Sequence, residues 1–143
     1  MQRRPSWTFR VSTHKRFIEE LNKRFGTNIA YRPQRCSANY DYNTIVWMIS
    51  FDRENSGFIN EWVDRDTILQ RCVRQDETYA GAPIRMPDQD YRLVVSIENY
   101  HGSKVYEIQG LFRVADGERD PMRIHFTRVA DSVFEKHIPE LFA

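Results

Sequence analysis

Residues 91–129 read YRLVVSIENY HGSKVYEIQG LFRVADGERD PMRIHFTRV. Three runs rich in β-branched and aromatic residues, at 91–98, 104–114 and 122–129, are separated by two short polar segments, 99–103 and 116–121. Val, Ile, Tyr and Phe suit a pleated, half-buried surface, whereas Asn, Gly, Asp and Pro suit chain reversal. Consecutive strands joined by short turns form an antiparallel meander. The second half of the chain is therefore β-rich.

The rest of the chain arranges itself around that meander. Thr44 opens TIVWMISF at 44–51, an unbroken apolar run of strand length, the pattern of a strand buried on both faces. Trp7, Phe9 and Val11 alternate with polar residues as in a short strand. Between these lies a helix over 13–25. Ser12 or Thr13 caps it, Phe17, Ile18, Leu21 and Phe25 form one apolar stripe, and Gly26 ends it. Its outer face carries Lys15, Arg16, Lys23 and Arg24. Residues 31–43 read as a loop broken by Pro33. Residues 58–73 place Ile59, Trp62, Val63, Leu69, Cys72 and Val73 at near-helical spacing, which predicts a middle helix broken near Asp64. Residues 75–89 form an irregular connection. Asp131 or Ser132 caps a short C-terminal helix that Pro139 closes. The fold expected is α+β: a small curved antiparallel sheet or partly open barrel, flanked by an N-terminal, a middle and a short C-terminal helix. All 143 residues form a single domain, with no linker or repeat to divide them.

Composition narrows the function classes. Hydrophobic residues at 41% and aromatics at 13% supply a packed core and argue against disorder. The longest apolar run is far short of the roughly 20 residues that span a bilayer, and 1–10 lack the apolar stretch of a signal peptide. The expected compartment is the cytoplasm, or the nucleus in a eukaryote, with no membrane partner. Cys36 and Cys72 read as reduced thiols. No CxxC, HxxxH, P-loop, GxGxxG, GxSxG or HExxH occurs, so the sequence calls for no metal and no cofactor. Net charge is only +1, but residues 1–35 hold nine Lys/Arg against two Asp/Glu, and the remainder twelve against eighteen. That asymmetry points to a polyanionic partner, or to pairing of the two regions within the fold.

One segment carries a resemblance. VYEIQGLFRV at 105–114 followed by RIHFTRV at 123–129 resembles a strand pair of the SRA domain. That family belongs with the PUA-like barrels and binds modified cytosine in DNA. Gly110, Leu111, Phe112, Arg113 and Val114 match the second half of its Tyr-Asp-Gly-Leu-Tyr-Arg-Val type of segment. Tyr106 is displaced, and Glu107-Ile108-Gln109-Gly110 replaces the Asp-Gly step. The resemblance spans about a sixth of the chain. It implies a PUA/SRA-like barrel and a nucleic-acid partner.

Tyr31, Arg32, Arg35, Tyr40 and Tyr42, all in the 31–42 loop, suit such a ligand. Tyrosines stack on an unpaired base and arginines hold adjacent phosphates. The same residues also suit an ordinary loop with half-buried tyrosines. On the first reading the basic helix (Lys15, Arg16, Lys23, Arg24) contacts phosphate, and the protein is a non-enzymatic nucleic-acid-binding domain reading a modified or unpaired base. Two alternatives belong to other classes. One is a protein-binding inhibitor, immunity or phage-encoded interaction protein, its acidic C-terminal part meeting a basic protein partner. The other is a toxin-like hydrolase or a Mg²⁺-dependent nuclease. Pro87-Asp88 and Glu107-x-Gln109 resemble a degraded PD-(D/E)xK pattern, in which carboxylates on adjacent strands hold the cation. Gln109 stands where that pattern has Lys.

Overall fold

The computed structural model describes residues 7–33, 36–40, 44–54, 57–72, 91–115 and 123–131. Among these described residues, eight strands and one helix follow in chain order: β1 (Thr8–Arg10), α1 (His14–Phe25), β2 (Ser37–Asn39), β3 (Thr44–Ile49), β4 (Phe58–Asp64), β5 (Thr67–Cys72), β6 (Tyr91–Tyr100), β7 (Ser103–Val114) and β8 (Arg123–Ala130). The strands form one sheet in the order β2-β3-β6-β7-β8-β5-β4, with β1 added along β7.

The helix ends as its sequence requires. The Thr13 hydroxyl accepts the Arg16 N–H at 3.1 Å, and Gly26 takes φ 67°, the left-handed conformation that stops a helix. Phe17, Ile18 and Leu21 are fully buried. Phe17 stacks on Tyr106 of β7 at 4.9 Å and meets Phe9 of β1 edge-on at 5.2 Å. Burying each such side chain stabilises by about 1.5–3 kcal/mol. The meander of β6, β7 and β8 lies where the three apolar runs place it. The β6–β7 turn is a two-residue loop, His101-Gly102, with both φ angles positive (49° and 83°), the twist a tight hairpin favours.

Three features differ from the sequence expectation. The sheet is mixed rather than antiparallel, because β3 pairs with β6 in parallel, Thr44 opposite Tyr91 through Ile49 opposite Ser96. Both strands are covered on both faces: Val46, Met48, Leu93 and Val95 point into a core beneath α1, and Trp47, Ile49 and Val94 into a second core. The middle helix is instead the β4–β5 hairpin. The Asp64 carboxylate accepts the Asp66 N–H at 2.9 Å, a local turn that reverses the chain, and Arg71 meets Glu61 across the hairpin at 2.5 Å. Pairing of β5 with β8 on its other side then favours strand over helix. Within the expected loop at 31–43, Ser37–Asn39 forms the edge strand β2. The expected C-terminal helix lies outside the described residues.

The sheet is strongly curved. Trp47 of β3 and Phe126 of β8 are separated by three strand steps, about 14 Å in a flat sheet, yet their rings lie 5.3 Å apart. The segment after β3 also reaches β4 at the far edge. Phe51, just past β3, stacks on Trp62 of β4 at 4.8 Å, and the Asp52 N–H donates to the Asn60 carbonyl at 2.9 Å. The concave side is thus filled by Trp47, Val94, Phe112, Ile124, Phe126 and Ile68.

The curve turns on β7. Its first half runs between β6 and β1, its second between β6 and β8. Pairing slips at Val94/Val95 against β6 and at Leu111/Phe112 against β8. Between these slips Gly110 adopts φ 139°. A Cβ there would come within 2.6 Å of the Arg128 guanidinium and 2.7 Å of the Ala130 carbonyl. Gly110→Ala therefore combines a strained φ with a backbone clash. We expect it to destabilise the protein by about 3 kcal/mol, read as a lowered urea midpoint. A loss below about 0.5 kcal/mol would show that the strand does not bend here.

Candidate nucleic-acid interface

On α1, Lys15, Arg16, Lys23 and Arg24 are all exposed, as the apolar stripe on the opposite face demands. Their surroundings differ. Arg16 reaches Glu19 at 3.2 Å and Glu20 at 3.3 Å, surface pairs of small energy. Arg24 lies over the Phe9 ring at 3.9 Å. Lys15 and Lys23 stand at opposite ends of the same helix.

The loop that follows is held by Asn22. Its amide donates to the Ile29 carbonyl, and its oxygen accepts from the Ile29 N–H, both at 2.8 Å, and from the Thr27 hydroxyl at 2.7 Å. This clamp delivers Tyr31 and Arg32 to one side of the core. Tyr31 and Tyr40 are half-buried and pack against the core beneath α1, while Arg32 is exposed. Arg35 and Tyr42 lie outside the described residues. The structure therefore brings Tyr31 and Tyr40 to the same core. Asp88 also lies outside the described residues. Glu107 and Gln109 point away from α1, where the Gln109 amide donates to the Ser96 hydroxyl at 2.9 Å.

A cavity of about 450 Å³ opens at the start of α1, lined by residues that include His14, Cys36, Arg53, Glu54, Asn99 and Lys104. Tyr106 is fully buried at its side. Burial, with Tyr31 adding a smaller effect, pushes its phenol up to about 12. The Tyr106 hydroxyl and His14 Nδ1 are hydrogen-bonded at 2.8 Å. Burial, and then the nearby Lys104 charge, hold His14 below its ordinary value, so its imidazole is neutral at pH 7. Cys36 is exposed and Cys72 buried, and neither is in a disulfide.

On the concave side the sequence reading missed a residue. Arg92 of β6 is in phase with the inward-facing Val94. Its guanidinium lies 4.5 Å from the Trp47 ring and 4.8 Å from the Phe126 ring. Nε is buried and has no hydrogen-bond partner among the described residues. Burial pushes Arg92 down to about 10, which leaves it cationic at neutral pH. The signal available in the sequence was a cation at an inward position of a strand, in YRLVV. Arg128 of β8 contrasts with it. Arg128 donates to Asp66 Oδ1 at 2.9 Å, to the Arg65 carbonyl at 2.8 Å and to the Gln109 carbonyl.

No family model matches the chain, and no curated protein sequence does. Among solved structures, the fold is similar to that of the 5-hydroxymethylcytosine-specific restriction enzyme AbaSI, with a TM-score of 0.53 and 20% identity. The match covers 78% of this chain and 37% of that one, so this chain spans well under half of the enzyme's length. It is a likeness of fold. The two segments that resemble an SRA strand pair do lie side by side, as β7 and β8. No described helix is long and apolar enough to cross a membrane.

The His14 environment sets a pH dependence. Its folded value lies below the ordinary 6.5, so the unfolded chain takes up the proton first as pH falls. Stability tied to His14 is present above pH 6.5 and is lost as pH drops through and below it. The melting temperature should fall between pH 7.5 and 5.5, and His14→Gln should flatten that slope. An identical slope in the variant would show that His14 does not titrate in this way.

Proposed function

We propose that this chain is a nucleic-acid-binding domain that reads a modified or unpaired base. The observation that carries the reading is the curved sheet itself: its fold is like that of an enzyme named for 5-hydroxymethylcytosine, and it contains the β7–β8 pair that resembles the SRA strands. Arg92 adds a cation beside the Trp47 and Phe126 rings at the concave core. Lys15 and Lys23 lie on the exposed face of a helix whose first turn holds no acid, and they supply phosphate contacts. Tyr31, Tyr40 and Arg32 flank the core beneath that helix and extend the contact surface. Arg16 and Arg24 add charge to the same face. Arg35 and Tyr42 belong to the same proposed loop.

Mobility shifts with single-stranded, duplex and cytosine-modified DNA test this. Binding should weaken steeply with salt, because phosphate neutralisation releases counterions. The double variant Lys15→Gln/Lys23→Gln should lower the logarithmic salt slope by about 2, one per lost contact. No salt-sensitive shift with any of the three DNAs would sink the proposal. An unchanged slope would move the phosphate contacts off α1.

A further inference from the structure

On the helix side of the sheet, away from the concave core, the parallel strands β3 and β6 run together as far as Ile49 and Ser96 and then part. β6 continues along β7 to the His101-Gly102 turn, while the chain after β3 leaves for β4, where Phe51 stacks on Trp62. The cavity of about 450 Å³ lies where they part, bounded on one side by His14, the first residue of α1. Its floor is apolar: Met48 is buried, Ile97 is half-buried, and both belong to the core beneath the helix. Its rim is charged. Lys104 and Arg53 are exposed, and neither is ion-paired among the described residues, in contrast to Arg16, Arg71 and Arg128. Glu54 is the single carboxylate of the described lining, so the cations outnumber it two to one. His14 adds a group whose direction is fixed. Its Nδ1 is engaged by the buried Tyr106 hydroxyl at 2.8 Å, which leaves Nε2 for an occupant of the cavity. Lys104 acts on the same imidazole and disfavours its charged form. An anion between the two would remove that repulsion.

We propose that this cavity binds a phosphate monoester, with Lys104, Arg53 and His14 around the phosphate and the organic part over Met48 and Ile97. The volume falls within the roughly 300–1,000 Å³ of small-molecule sites, more than an inorganic anion needs. A phosphate offers oxygens in several directions and can be met from a strand, a loop and a helix at once. A carboxylate presents two oxygens in one plane, which suits a single arginine fork. At neutral pH a monoester carries about −1.5 to −2 charges, which two cations neutralise. A diester within a strand carries one charge and continues on both sides, so it has no end to place against the floor. The N-terminal end of α1, where the helix dipole is positive, holds no acid in its first turn and favours the same occupant. Glu54, which would repel the phosphate, is left for a hydroxyl or amino group of the organic part. Two sources share this chemistry: a small phosphorylated molecule, and the phosphorylated end of a nucleic-acid strand. Only the second rests on the nucleic-acid reading above.

Calorimetric titration of the whole chain with ribose 5-phosphate, with ribose as control, tests the site. The ester should bind and ribose should not. Lys104→Gln and Arg53→Gln should each weaken binding about tenfold, as expected for one hydrogen bond to a charged group. Both side chains are exposed, so the variants should melt with the wild type. The His14 ring protons, followed by NMR, should titrate at higher pH with the ester bound than without it. Together with the loss in Lys104→Gln, that shift places the ligand in this cavity rather than on the outer face of α1. Oligonucleotides with a 5′-phosphate or a 5′-hydroxyl separate the two sources. Tighter binding of the phosphorylated strand than of both its hydroxyl counterpart and ribose 5-phosphate assigns the site to strand ends. Binding of ribose 5-phosphate with no such gain assigns it to a small molecule. The proposal is overturned if neither ribose 5-phosphate nor a 5′-phosphate is recognised, if both variants keep full affinity, or if the His14 titration does not move. Those results leave the mobility shifts on DNA to decide the nucleic-acid reading by themselves. Failed shifts beside intact ribose 5-phosphate binding would remove that reading and leave this site a small-molecule one.

Discussion

At Gly110 the longest of the described strands changes partners. Before it, β7 lies against β1 and lines the core beneath the helix; after it, β7 lies against β8 and lines the concave core. A strand can serve two cores only if its side chains change phase between them, and one residue out of step is enough, because strand periodicity is two. Tyr106 and Ile108 therefore face the helix, and so does Leu111, an odd step later. Arg128 occupies the space that a side chain at 110 would need and binds the Gln109 carbonyl, locking the bend to the β4–β5 turn through Arg65 and Asp66. Without that bend the sheet would stay open, and Trp47 could not reach Phe126.

Local signals told most of the story where structure is local. Thr13, the Phe17-Ile18-Leu21 stripe and Gly26 fix α1 within one window of sequence. The meander was legible because its strands are joined by short turns. The β4–β5 hairpin was not, because an apolar set at 59, 62, 63, 69, 72 and 73 fits helical spacing while its turn, Asp64-Arg65-Asp66, contains neither Gly nor Pro. What decides it is β8, whose pairing with β5 lies far off in sequence. The parallel contact of β3 with β6 was hidden for the same reason: burial on both faces shows in TIVWMI, but the identity of the neighbour does not.

The candidate site was legible only in part. Charge on α1 could be read directly, because exposed cations follow from the position of the apolar stripe. Arg92 could not, since an arginine at the start of an apolar run looks like an edge residue until the sheet curls over it. Arg128 and Arg92 divide the two uses of a buried guanidinium. One is surrounded by oxygen acceptors and holds the architecture together; the other lies against the Trp47 and Phe126 rings.

The parallel pair also bears on how the chain reaches this state. The helix and the β4–β5, β6–β7 and β7–β8 hairpins each form from neighbouring residues. β3 and β6 must find each other across about a third of the chain, and no single turn brings them into line. Entropy lost in closing so large a loop is repaid only once Val46, Met48, Leu93 and Val95 pack beneath the helix. Assembly is thereby ordered: local pieces first, then the seam. Until that seam closes, β3 and β6 present bare, apolar edges of the kind other chains readily join, so crowding and temperature during synthesis should matter more to this protein than its modest size suggests.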